Sequence, residues 1–160
     1  MDFLHTAFPL LNIEFSYSMR LVVAAVLGML LGLDRSLAGK RAGMRTYALV
    51  SLGSALFVVV GTLASFQLSM FPGINPLQIA GSIVIGIGFI GSGLAVSRAD
   101  RPAELTTASG IWVAAGVGMA AGFGLYVFAA ATLILSVVVF SVFSKIEYRI
   151  QSRWGVEVKQ

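Results

Sequence analysis

The chain has no cysteine and only one histidine, and charged side chains make up just 11% of its 160 residues. Without cysteine there can be no disulfide, zinc–thiolate centre, iron–sulfur cluster or cysteine nucleophile. The lone His5 cannot assemble a histidine-based metal site and reads as a surface residue. The scarcity of charge says most. A water-soluble domain carries charge on about a quarter of its residues, and this chain has too little polar surface to face water. The opening stretch MDFLHTAFPLLN lacks a basic segment and a small-residue cleavage site, so no removable signal peptide is expected.

Apolar sequence fills the space that charge vacates. Hydrophobic residues make up 58% of the chain, and the mean hydropathy is +0.91. A helix needs about 20 apolar residues to cross the hydrocarbon core. Four runs approach that length, at 46–67, 77–97, 105–122 and 125–144. A fifth, from Phe15 to Leu33, is interrupted by Arg20 near its outer end, from where the guanidinium can snorkel to the headgroups. The expected fold is an all-α, polytopic membrane helix bundle of about five transmembrane helices. Residues 1–144 form the transmembrane domain and residues 145–160 a basic amphipathic tail.

Five spans place the termini on opposite sides. The loop at 32–45, the loop at 98–104 and the tail then share one face, which collects ten of the eleven bases. Such segregation marks the cytoplasmic side, so the N-terminus is expected outside and the C-terminus inside. The pI of about 9.9 therefore reports topology, and nucleic acid is not an expected partner. In the tail, Phe143, Ile146, Ile150 and Trp154 recur at helical spacing beside Arg149 and Arg153. That pattern suits either a helix running on along the membrane surface or a simple stop-transfer anchor.

The stretch GIGFIG at 86–91 satisfies the dinucleotide pattern, but that fingerprint needs a preceding strand and a following acid. Here it lies inside an uncharged span, so it reads as a helix-packing element. Small residues let membrane helices approach closely. Gly28 and Gly32, Gly86 and Gly88, and Gly118 and Gly122 are the expected packing positions. The segment RPAELTTASGIW at 101–112 opens the fourth span. Pro102 and Glu104 suit a first helical turn, while Thr106 and Thr107 cap locally or line an inward cavity. Trp112 lies about 10 Å deeper along the helix and is expected inside the bundle. Asp34 stands at the C-terminal end of the first span, where a carboxylate is disfavoured by the helix dipole. It needs a cation, and Arg45, directly or through Arg35, is the expected partner near Thr106.

These stretches carry a resemblance. GLDRSLAGKRAGMRTYALVSLGSALF, GIGFIGSGLAV and ELTTASGIWVAAGVGMAAGFGLY together resemble the MgtC/SapB family of bacterial inner-membrane proteins, in unbroken order from about residue 21 to 140. The resemblance implies a multi-pass protein of the bacterial inner (plasma) membrane. It also implies a link to growth in low magnesium and, in some pathogens, to survival inside macrophages. Some members are described as regulating other membrane proteins, the ATP synthase among them. The family's acid–arginine pair corresponds to Asp34-Arg35, with Asp where Glu is usual. Its A-G-L-R-T element matches Ala42 to Thr46, and its L-T/N-T-A-A…W element matches Leu105 to Ser109 with Trp112. Glu104 stands where glycine is common. Many relatives carry a soluble C-terminal domain, and none is expected here.

Two functional expectations follow. One is a non-enzymatic membrane regulator or adaptor acting through helix contacts, with a second copy in a dimer or another membrane protein as partner. The other is a transporter or channel, for magnesium or for an anion or phosphate at the basic mouth. The expected functional cluster is Asp34, Arg35, Arg45, Thr46, Glu104, Thr106, Thr107 and Trp112. No catalytic residue and no cofactor are expected beyond a weak association with Mg2+, for which Asp34 is the first candidate ligand. Six bases share the two loops holding Asp34 and Glu104 and repel a divalent cation.

Overall fold

The computed structural model describes residues 2–67, 75–96 and 104–154. They form α1 (Asp2–Leu37), α2 (Met44–Gln67), α3 (Pro76–Ala95), α4 (Leu105–Gly122), α5 (Tyr126–Val138), a π-helical turn (Val139–Phe143) and α6 (Ser144–Trp154). No strand occurs among the described residues. Among the described residues, five helices are long and apolar enough to cross a membrane: Glu14–Leu37, Met44–Phe66, Leu77–Ala95, Leu105–Gly122 and Tyr126–Ile146. The first extends beyond the expected Leu33, so Asp34 and Arg35 belong to the last turns of α1 and not to a loop.

Helix α4 is the hub and packs against α1, α2, α3 and α5. Its sequence explains why. Gly110, Ala114, Ala115, Gly118, Ala121 and Gly122 form a face of small residues, all of them buried. In lipid, apolar attraction does not drive helices together, and close van der Waals contact between small residues does. Accordingly α4 is the least hydropathic of the five spans (1.3) yet the most buried (50%), whereas the most hydropathic, Tyr126–Ile146 (2.4), is 11% buried. Large apolar side chains such as Ile85, Phe89 and Val127 point outward.

The tightest seam joins α1 and α4 to α2. A Cβ at Gly28 would lie 2.6 Å from the Tyr47 carbonyl oxygen, and one at Gly32 would lie 2.8 Å from the Met44 Cα. A Cβ at Gly118 would meet the backbone of Ser51, and one at Gly122 that of Ala55. These four glycines sit at close backbone approaches. Gly86 and Gly88 do not, because an added Cβ at either meets nothing within 4 Å. Helix α3 packs at the edge of the bundle against α2 and α4 and turns Ile83 and Ile87 inward. Gly86 and Gly88 flank Ile87, so each is rotated about 100° off that inner line.

Two turns at the helix ends require glycine. After α1, the Gly39 N–H donates to the Ser36 carbonyl and the Lys40 N–H to the Arg35 carbonyl, with Gly39 at φ +67. Gly124, at φ +80, closes α4 in the same way through Gly124→Ala121 and Leu125→Ala120 bonds. Both are Schellman caps, whose left-handed residue a side chain would strain. At that second end the Arg20 Nη1 donates to the Gly122 carbonyl at 3.0 Å, and the guanidinium lies 4.6 Å from the Tyr17 ring centre. Arg20 is thus tied to the negative end of α4, a firmer anchorage than headgroup snorkelling. Helix α6 continues from the last span, and Phe143, Ile146 and Ile150 are exposed. The Trp154 side chain and the 98–103 loop lie outside the described residues.

Candidate functional site: an ion-paired mouth

At the other end of the bundle, the C-terminal turns of α1 meet the starts of α2 and α4 and the π turn. The Asp34 Oδ2 accepts from the Arg35 Nη2 at 2.6 Å and from its Nε at 3.2 Å. The opposite oxygen, Oδ1, accepts from the Ser141 hydroxyl at 3.1 Å. The Arg35 guanidinium also lies 4.2 Å from the centre of the Phe140 ring. Arg35 is buried, with 8% of its side chain exposed against 29% for Asp34.

The π turn supplies both outside contacts. A π turn takes in an extra residue and so re-aims the side chains that follow. Here Phe140 faces Arg35 while Ser141 reaches Asp34, so one turn of α5 grips both members of the pair. Gly110 makes the space, since a Cβ there would overlap the Tyr47 hydroxyl and the edge of the Phe140 ring. The Tyr47 hydroxyl, fully buried, donates to the Thr107 carbonyl at 3.2 Å.

A second ionic group borders the first. Glu104 is the residue before α4, but its side chain makes no capping bond to the backbone. Instead its Oε2 accepts from the Thr107 hydroxyl at 2.9 Å, and its Oε1 lies 3.6 Å from the Arg41 Nε. The 38–43 loop that presents Arg41 is held by Ser36, whose hydroxyl accepts from the Met44 N–H at 2.8 Å. Between these groups lies a cleft of about 440 Å3, lined by Arg35, Lys40, Glu104, Thr106, Thr107 and Phe140 among others.

The MgtC family model matches residues 21–149. The chain belongs to the MgtC family. It is 34% identical over 139 residues to the Escherichia coli protein named "Putative magnesium transporter YhiD", covering 86% of this chain and 65% of that one. It is 40% identical over 118 residues to SrpB of Synechococcus elongatus, covering 68% of this chain and 64% of SrpB. With MgtC of Salmonella typhimurium it shares 37% identity over 122 residues, 76% of this chain and 50% of the relative. The chain thus spans less than two thirds of the length of these relatives. No solved structure matches it.

Within this MgtC-family fold, most of the expected cluster comes together. Asp34, Arg35, Glu104, Thr106 and Thr107 gather around the mouth, and Thr46 sits half-buried on the first turn of α2. Two expectations need correction. The partner of Asp34 is Arg35, and among the described residues no ion pair reaches Arg45, which is exposed. Tyr47 points into the bundle, and two residues of helix turn the chain by about 200°, so Arg45 faces away. Trp112 is 54% exposed on the outer face of α4, not inside the bundle. The inner face belongs to Gly110, Ile111 and Ala114, and the seam that needs glycine for Tyr47 leaves no room for an indole.

Sequence reasoning missed Tyr47, Phe140 and Ser141. Tyr47 and Phe140 look like ordinary apolar span residues, and Ser141 like a helix serine bonded to its own backbone. Only the π turn gives the last two their roles, and hydropathy has no signal for it. Arg35 and Ser141 engage both oxygens of Asp34, the first candidate ligand for Mg2+.

Proposed function

We propose that this MgtC-family protein is a regulator or adaptor of other membrane proteins in the physiology of magnesium limitation, located in the bacterial inner membrane, and not itself an ion path. The observation that carries this reading is the close-packed seam through α1, α2 and α4. Backbone-level contacts at Gly28, Gly118 and Gly122 close it. No Asp, Glu, Lys, Arg or His lies on α1 between Arg20 and Asp34, or anywhere in α3 and α4. An ion crossing such a seam meets no charged side chain, and the buried Ser51 hydroxyl is already engaged with the Ala24 carbonyl. The basic mouth faces the cytoplasm by the distribution of bases, and the mouth's ion-paired groups, together with the exposed face of α3, supply surfaces for a second copy or another membrane protein.

The test is a flux assay. Purified protein in liposomes loaded with a magnesium-sensitive dye should admit Mg2+ no faster than protein-free liposomes. Robust Mg2+ flux abolished by Asp34→Asn would overturn the reading. Transport is the second reading, favoured by the name of the YhiD relative and by the cleft beside Arg35 and Lys40. That cleft suits an anion or phosphate better than a divalent cation, so the same liposomes assayed with phosphate separate the two.

A further inference from the structure

The mouth does not end at the cleft. A groove of about 460 Å3 between α4 and α5 shares Leu105, Thr106, Val139 and Phe140 with it. A third hollow of about 250 Å3 shares Val113 and Thr132 with that groove and reaches Trp112 and Gly116. The three follow the outer face of α4 from Thr106 to Gly116. That length is about 15 Å at 1.5 Å per residue, roughly half the 30 Å hydrocarbon core and so the depth of one leaflet. At its membrane-surface end the furrow is charged, and further in it is apolar, with the small residues Ser109 and Gly116 along its floor.

Among the described residues, the charges at the mouth do not balance. Three cations, Arg35, Lys40 and Arg41, meet two carboxylates, Asp34 and Glu104. Each carboxylate is paired, while Lys40 lines the cleft, is exposed and has no ion pair among the described residues. Among these described residues one positive charge is left over in the cleft that Thr106 also lines, and this matches one phosphodiester.

From the charge at one end and the leaflet-deep apolar furrow at the other, we propose that this face of α4 binds a single anionic phospholipid, its phosphate at Lys40 and Thr106 and one acyl chain along the α4–α5 furrow. The occupant is a lipid and not a free anion, because the furrow would leave most of its length unused by phosphate alone. This holds whether the protein regulates or transports.

Trp112 borders the inner end of the furrow and reports on it. With Trp154→Phe as background, Trp112 is the sole tryptophan. The chain in neutral-detergent micelles is titrated with phosphatidylglycerol or phosphatidylcholine brominated at mid-chain. Phosphatidylglycerol should quench Trp112 saturably at one lipid per chain, while phosphatidylcholine should need several-fold more lipid. Lys40→Gln, on an exposed loop, should weaken the phosphatidylglycerol interaction about fivefold, the worth of one surface lysine against an anionic headgroup. Ser109→Phe should fill the furrow and weaken it at least as much. Glycerol 3-phosphate should fail to displace the lipid. Equal quenching by the two lipids, or a preference unchanged in Lys40→Gln, overturns the headgroup assignment. An affinity unchanged in Ser109→Phe, or full displacement by glycerol 3-phosphate at equal concentration, overturns the acyl assignment.

Discussion

Replacing Asp34 by Asn keeps the shape of the mouth and removes one charge. The cost follows from which partner is left behind. Breaking a buried ion pair by removing one member costs about 3–5 kcal/mol, because the other charge is stranded in low dielectric. Arg35 has only 8% of its side chain exposed, so water cannot take over for Asp34. The Phe140 ring offsets part of the loss through its cation–π contact, which leaves about 3 kcal/mol. The reverse substitution, Arg35→Gln, strands Asp34, which is 29% exposed and still bonded to Ser141. Its cost should be smaller, about 2 kcal/mol, with the lost Phe140 contact included. The double variant strands nothing and should be less destabilised than the sum of the singles by about 2 kcal/mol. Reversible unfolding by SDS in mixed micelles, followed by circular dichroism, measures all three. Additivity within about 0.5 kcal/mol, or an Asp34→Asn variant as stable as the parent, would refute the argument that Asp34 exists to compensate a buried Arg35.

Two further substitutions test the packing. Gly118→Ala forces a methyl onto the Ser51 backbone and should destabilise by about 1–3 kcal/mol or more, since a carbonyl cannot move aside as a side chain can. Gly86→Ala meets nothing, so the same unfolding assay should show no loss and up to about 1 kcal/mol gained from helix propensity. Tyr47→Phe removes the hydroxyl bonded to the Thr107 carbonyl. That carbonyl lies inside α4 and keeps its place in the helix ladder, so the loss should be about 1 kcal/mol and the fold should survive.

Much of the architecture was legible from hydropathy. Lipid demands that every backbone polar group be satisfied within a helix, so uncharged runs of about 20 residues admit one conformation, and the spans fell within a few residues of their expected limits. The end of α1 was the exception. Asp34 and Arg35 look like loop residues because they are charged, yet a pair that neutralises itself sits inside a helix and against other helices. The glycines divided for a related reason. Spacing marks Gly86 and Gly118 equally, but Gly118 lies on the buried face of α4 against the Ser51 backbone, while α3 packs at the edge.

The sequence by itself determined that this is a helical membrane protein of the MgtC family with five helices long and apolar enough to span a membrane. Those conclusions rest on properties of single residues summed over a run: hydropathy, charge and order. The tertiary structure decided which residues meet. Asp34 pairs with Arg35 and not Arg45, Trp112 turns outward, and Phe140 and Ser141 enter the mouth. Each outcome depends on an angle about a helix axis, and a single residue of register shifts that angle by about 100°. The π turn at Val139–Phe143 makes such a change of register, and hydropathy does not record it.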